Sequence, residues 1–218
     1  MGDKSQPAFL KKALDDTGFS HNKRPRLALN TGSISSNFGA DYSFLEHWGV
    51  KIEGCDLQPG ANVDHVFDLT DQPPDSLLNK YDLIISSSTL EHVSKPWLAA
   101  DCLEKLLKPG GYFYISVPWV WRYHAYPNDY WRFNRHTLDV IFTRTILLSQ
   151  AWSTSPDCHL HNFSDTFDDK NSVILRDSSQ RGRLQRMLDR FRNPLQDNLS
   201  SKKYLPYLMI HQLRQKAE

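Results

Sequence analysis

Between Arg26 and Pro118 the chain repeats one pattern: a short apolar run, a turn residue or an acid, then a stretch with helical spacing. Runs this short fit strands better than buried helices, and strands that alternate with amphipathic segments pack as βα units around a parallel sheet. Strands are therefore expected at residues 27–29, 50–55 (ending at Asp56), 64–67 (ending at Asp68), 81–86 and 112–117 (ended by Pro118). The fourth, Tyr-Asp-Leu-Ile-Ile-Ser, has the unbroken apolar character of a strand buried on both faces. Helical spacing runs over 38–48, through Tyr42, Leu45 and Trp48 to a stop at Gly49. It recurs over 97–107, where Trp97, Leu98, Cys102, Leu103, Leu106 and Leu107 precede Lys108-Pro109-Gly110-Gly111. The regularity weakens afterwards. Residues 119–135 are rich in aromatics, 135–144 look helical, 146–153 suit a sixth strand, and 204–212 read as a last one. The expectation is an α/β fold with a doubly wound, mostly parallel seven-stranded sheet and helices on both faces.

Four stretches follow. Residues 1–25 are a polar lead-in with one short helix through Phe9, Leu10 and Leu14, and 26–153 form the core. Residues 154–203 are a polar insertion or lid with a basic amphipathic helix near 181–192, and 204–218 carry the last strand and a tail. The 218 residues balance 26 Lys and Arg against 25 Asp and Glu, a formal net charge of +1. Such a chain has no broad field for coating nucleic acid or an anionic membrane, so a small-molecule partner is favoured and nucleic acid is disfavoured. No apolar run is long enough to cross a bilayer and the first residues lack the apolar stretch of a secretory signal, so a cytoplasmic protein is expected. Cys55, Cys102 and Cys158 are an odd number without metal-ligand spacing, which argues for reduced thiols, with Cys55 and Cys102 in the core, and for no metal centre.

The chemistry is suggested by where acids and a glycine fall. Ligands of open parallel sheets bind at the carboxyl ends of the strands, and here Gly32 follows strand one, Asp56 ends strand two, Asp68 ends strand three and residues 86–89 follow strand four. A glycine permits close backbone approach, and a carboxylate at the end of strand two can accept both hydroxyl protons of a ribose. The crevice would suit a nucleoside. Glu91 and His92 read as residues that fix the loop after strand four, and His159-Leu-His161 has no partner cluster for a metal.

The strings LALNTGSIS, IEGCDL, HVFDLTD, YDLIISSSTLEHV and LLKPGGYFYISVP resemble the successive motifs of class I S-adenosylmethionine-dependent methyltransferases, in the type 11-like branch, over roughly residues 26–143. PWVWRYHAYPNDYWRFN is similar to a segment of one subgroup of these enzymes. The resemblance implies a Rossmann-like fold, S-adenosyl-L-methionine as cofactor, and a cofactor site made of particular positions. Thr31, Gly32 and Ser33 would shape the loop under the methionine part, beside Asn30, which stands where an acid is usual. Asp56 would hold the ribose hydroxyls with Leu57 on the adenine, Asp68 and Leu69 would hold the adenine, and Ser86 and Ser87 would face the sulfonium.

A sulfonium is already an activated methyl donor, so the protein must align the acceptor and take its proton. The segment after strand five offers His124 as the base and Asp129 to orient it. Tyr123, Tyr126, Tyr130, Trp131 and Arg132 would surround the acceptor, an O or N atom of a metabolite, sugar or natural product. Two other readings compete. A catalytically degenerate methyltransferase fold kept as a binding or assembly module draws on Asn30 and on Ile34, which stands where a second glycine is common. A nicotinamide-dependent oxidoreductase is disfavoured because the full glycine motif for a pyrophosphate is absent.

Overall fold

The computed structural model of the chain describes residues 4–21, 24–34, 41–125, 127–153, 160–161, 163 and 207–217. The first element, α1 (Ser5–Asp16), buries Phe9, Leu10, Ala13 and Leu14 on one stripe and ends where Gly18 takes a left-handed φ of 76°. The sheet then begins with β1 (Arg26–Thr31), α2 (Ser43–His47), β2 (Val50–Asp56), β3 (His65–Val66) and β4 (Tyr81–Ser87). It continues through α3 (Pro96–Leu106), β5 (Leu107–Val120), α4 (Arg135–Ile141), β6 (Thr145–Ser153), β7 (Leu160–His161) and β8 (Leu208–Lys216).

Among the described residues the sheet has eight strands in the order β3-β2-β1-β4-β5-β8-β6-β7, one more than the expected seven. The five strands from β3 to β5 run parallel, while β8 enters antiparallel between β5 and β6, and β7 adds antiparallel to β6. The extra strand is β7, two residues inside the expected insertion, where His161 stacks on Trp152 with ring centroids 4.3 Å apart. Most of the expected lid, its basic helix included, lies outside the described residues, as do Cys158, His159 and residues 204–206.

Both faces of the sheet are covered. One apolar cluster joins Leu29, Ile84 and Phe113 of the strands to Leu103 and Leu106 of α3 and Leu138 of α4. The other joins Ala28, Leu83, Ile85 and Tyr114 to Leu10 and Leu14 of α1 and Leu45 of α2. Alternate residues of β4 feed the two clusters, which is why that strand carries no solvent face. Cys55 and Cys102 are buried thiols, as expected, and burial pushes both thiol pKa values up, that of Cys102 to about 12. No helix among the described residues is long and apolar enough to cross a membrane.

Three boundaries differ from the sequence reading. The Lys108-Pro109-Gly110-Gly111 stretch does not merely close α3: it belongs to β5, which pairs Leu107 with Tyr81 and Tyr112 with Leu83 across a bulge, Gly110 taking a φ of 71°. Pro118 does not end that strand, which runs on to Val120. The last strand runs past the expected end at 212 to Lys216 because its polar end is held by partners far along the chain. Arg214 is buried, its Nε donating to the Thr145 hydroxyl at 3.0 Å and its guanidinium to Asp139 at 2.8 Å. The lead-in helix is also an integral layer of the fold, since Ser5 and Gln6 are buried against β8 and β4.

Candidate active site

The carboxyl ends of β1, β2, β4 and β5 converge, and the loops leaving them form the site. Gly32 turns the chain after β1 with a φ of 67°, in the region that disfavours any side chain. A Cβ there would lie 2.9 Å from the Thr89 hydroxyl, so the turn packs directly on the loop after β4. Thr89 is fixed in turn: its hydroxyl accepts from the Thr31 hydroxyl at 3.2 Å and lies 3.2 Å from the Thr31 and Ser87 carbonyls.

Asp56 closes the opposite wall. One carboxylate oxygen accepts the Ile34 N–H at 3.1 Å and the other the Leu57 N–H at 2.7 Å, which fixes the carboxylate at the mouth of the crevice. Each oxygen has a second lone pair, so the group can still accept two hydroxyls. Leu57 is 56% exposed beside it, available to a planar ligand. Ser33 is buried, its hydroxyl donating to the Cys55 carbonyl at 3.3 Å. With Asn30 and Gly54 it lines a cavity of about 680 Å³ that reaches Asp41 and Glu46 at the start of α2.

Other expected cofactor residues are placed differently. Leu69 is buried in the core cluster of the α3 face, and Ser86 is fully buried with a hydroxyl that makes no hydrogen bond, so neither side chain is open to a ligand in this conformation. Ser87 points the other way and donates to the Gln6 side chain at 2.6 Å. Asp68 caps its own turn, one oxygen accepting both the N–H and the hydroxyl of Thr70 at 2.7 and 2.8 Å. That is the capping role a strand-end aspartate commonly takes.

The segment after β5 lies across the loop after β4. Glu91 and His92, in the single turn of 3-10 helix Leu90–His92, hold it through backbone contacts: the Glu91 carbonyl accepts from Tyr130 N at 2.8 Å. His92 Nδ1 lies 2.6 Å from the Asn128 carbonyl, and the Trp131 ring N–H donates to Val93 at 2.9 Å. This is the loop-fixing role expected of Glu91 and His92, but their side chains do more. His124 Nε2 and His92 Nε2 each lie 3.9 Å from Oε1 of Glu91, whose carboxyl is 1% exposed and whose Oε2 makes no hydrogen bond. Burial pushes the Glu91 carboxyl up to about 8 and pushes His92 down.

Asp129 does reach His124: its carboxylate accepts the His124 backbone N–H at 2.8 Å and lies 3.1 Å from Nδ1. The Arg132 guanidinium holds Asp129 far below the usual carboxylate range. Arg132 itself departs from the expectation that it binds an acceptor. Its five N–H groups go to the Trp121, Arg122 and Trp131 carbonyls and to both oxygens of Asp129, so it is a positioning residue with no donor left. Tyr123 and Tyr130 are 74% and 50% exposed and Trp131 stands edge-on to Trp97, so these three form an open rim. Tyr126 lies outside the described residues.

An open, doubly wound sheet with its glycine turn, strand-end carboxylate and polar loops gathered at one edge defines a nucleotide- or nucleoside-binding α/β protein. Residues 31–153, more than half of the chain, match the Methyltransferase domain family, and the chain belongs to that family of class I S-adenosylmethionine-dependent methyltransferases. Among curated proteins it is similar to a ubiquinone biosynthesis O-methyltransferase of Erwinia tasmaniensis, 33% identical over 61 residues. The match covers 28% of this chain and only 25% of that relative, so the chain matches about a quarter of the relative's length. Among solved structures it is similar to Haemonchus contortus phosphoethanolamine N-methyltransferase 2 in complex with S-adenosyl-L-methionine. That likeness has a TM-score of 0.52 and 15% identity over 95% of this chain and 53% of that one. It is also similar to the [4+2]-cyclase SpnF, with a TM-score of 0.54 and 12% identity over 97% of this chain and 81% of that one. At these identities the structures show the fold alone, and the cyclase shows that the fold by itself does not fix the reaction.

Proposed function

We propose that the chain transfers a methyl group to an oxygen or nitrogen atom of a small-molecule acceptor. S-adenosyl-L-methionine, the family's cofactor, supplies the methyl on a sulfonium already activated for displacement. What supports the reading is that the Gly32 turn, Asp56 and the His124 segment all meet at one set of strand ends. The turn leaves no space for a side chain at Gly32, and Asp56 is tied to the turn by its bond to Ile34 N and keeps lone pairs to offer. Asp56 holds the ribose hydroxyls, Leu57 covers the adenine, and Asn30 and Ser33 face the cavity beside them.

The acceptor enters under the rim of Tyr123, Tyr130 and Trp131. His124 takes its proton. The Nδ1–H is committed to the Arg122 carbonyl and Asp129, which leaves the Nε2 lone pair as the accepting site. Asp129 sets that tautomer and Arg132 holds Asp129.

Titration calorimetry with S-adenosylmethionine and its demethylated product tests the reading. Wild type binds both, Asp56→Ala loses at least about tenfold because a charge-assisted pair of hydrogen bonds is worth ~1.5–3 kcal/mol, and Asp56→Asn falls between. A folded wild type that binds neither nucleoside overturns the reading in favour of a degenerate binding module.

A further inference from the structure

From the convergence of Glu91, His92 and His124 we infer a binding site for a first-row transition-metal dication, which the sequence spacing does not suggest. One ligand atom from each residue lies within 4.8 Å of the other two, and among the described residues this is the group that meets that condition. The two sides that run from Glu91 Oε1 to the ring nitrogens are 3.9 Å. A tetrahedral zinc with bonds of 2.0–2.1 Å draws its ligands to ~3.3 Å apart, so side-chain rotations of about half an ångström close those sides.

Three features separate this cluster from an accidental meeting of polar side chains. First, both rings present Nε2 inward because Nδ1 of each is engaged elsewhere: His92 with the Asn128 carbonyl at 2.6 Å, His124 with the Arg122 carbonyl and Asp129 at 3.1 Å. A carbonyl or carboxylate behind each imidazole is the outer shell that fixes the tautomer of metal-ligating histidines. Second, the Glu91 carboxyl is fully enclosed, yet Oε2 makes no hydrogen bond. A buried polar group is rarely left so, and a cation held by both oxygens of this carboxylate would satisfy it. Third, the Asp129 and Arg132 charges cancel within their own bidentate pair, which leaves Glu91 as the uncompensated acid facing the two lone pairs.

Two imidazoles and one carboxylate favour zinc, cobalt, iron or nickel over magnesium, which prefers oxygen. Three protein ligands leave coordination positions open, the arrangement in which a cation can hold and acidify an oxygen ligand. The cluster begins two residues beyond Thr89, which packs on the Gly32 turn, so it belongs to the same loop after β4 that borders the cofactor crevice. When the cation is bound, His124 Nε2 is a ligand rather than a base, and acidification of an acceptor hydroxyl replaces proton removal by the ring. That use rests on the methyl-transfer reading; cation binding does not.

The test is a titration of chelator-treated full-length protein with Co²⁺, followed by its visible absorption, and with Zn²⁺ and Mg²⁺ by calorimetry. The expected result is one equivalent of Co²⁺ or Zn²⁺ with at least tenfold loss in His124→Ala and in His92→Ala, and Mg²⁺ at least tenfold weaker than Zn²⁺. Thermal melts confirm that the variants fold, and His124, the most exposed of the three, carries the test should a more buried variant fail. Absence of a one-equivalent site, variants that bind as wild type does, or Mg²⁺ binding as tightly as Zn²⁺ overturns the inference. Asp56→Ala keeps the cobalt spectrum while losing the nucleoside. A wild type that binds cobalt but no S-adenosylmethionine sinks the proposed function and leaves the site standing, and the reverse pattern sinks the site alone.

Discussion

Replacing Gly32 by alanine perturbs the turn in two separable ways. The φ of 67° costs an L-residue ~1–2 kcal/mol wherever it occurs. In addition, the new Cβ would sit 2.9 Å from Thr89 Oγ1, closer than a real Cβ contact, so Thr89 must rotate. Rotation breaks its bonds with the Thr31 hydroxyl and with one carbonyl, ~0.5–1.5 kcal/mol each. The two parts sum to ~2–5 kcal/mol in the wild-type background. In a Thr89→Ala background those hydrogen bonds are already gone and the crowding atom is absent, so Gly32→Ala costs only the backbone part. Urea unfolding of the four proteins of this cycle, with slopes that stay equal, should therefore give a coupling of ~1–3 kcal/mol between the two sites. A coupling below ~0.3 kcal/mol would refute the packing of the turn on Thr89. A Gly32→Ala cost below ~0.5 kcal/mol in the Thr89→Ala background would refute the backbone part as well.

Glu53 supplies a pH prediction: burial works against its charge, but bonds from His65, Lys80, Lys51 and Tyr81 outweigh that and hold the carboxyl at about 2, below its ordinary 4.5. An acid depressed in the fold gives stability that is present above about 4.5 and lost as pH falls toward 2, at most ~3 kcal/mol and nearer ~1–2 after solvent screening through the exposed Lys51. Chemical unfolding between pH 5 and 2, compared with Glu53→Gln, measures it, and an unchanged slope in the variant sinks the assignment. In α1, Leu10 is fully buried in the second cluster, so Leu10→Ala should cost ~2–5 kcal/mol in a denaturant melt. A cost under ~0.5 kcal/mol would mean that the helix is the detachable lead-in its polar sequence suggests.

The elements legible from sequence were those whose signal is local. Leu83, Ile84 and Ile85 announce a strand because burial on both faces leaves no place for a polar residue, and Cys102, Leu103 and Leu106 announce a helix because one stripe is buried, although Trp97 and Leu98, read with them, are exposed. The end of β8 carried no such signal. Arg214 looks like a solvent residue until Thr145 and Asp139, distant in sequence, supply its partners, and Gln212 until it accepts from Arg214. The fate of Arg132 was hidden for the same reason, since a guanidinium poised for a ligand and one spent on three carbonyls and an aspartate read alike.

The candidate site divides along this line too. Gly32 and Asp56 stand at strand ends, where the parallel topology itself predicts convergence, so reading the strands was enough to pair them. Glu91, His92 and His124 also leave strand ends, those of β4 and β5, and the same rule applied to them would have brought the three together. What concealed them was that each had a sufficient local explanation, His92 and Glu91 as loop anchors and His124 as a base. The backbone bonds from Tyr130 and Trp131 to the Glu91 carbonyl show that the anchoring explanation is true. It is incomplete because anchoring uses the main chain of Glu91 and one nitrogen of His92. It leaves a buried carboxyl oxygen without a donor and two Nε2 atoms turned toward it. A fold that needed Glu91 only for its carbonyl would be better served by an apolar side chain at that buried position, and the retained carboxyl is the reason to look there for a ligand.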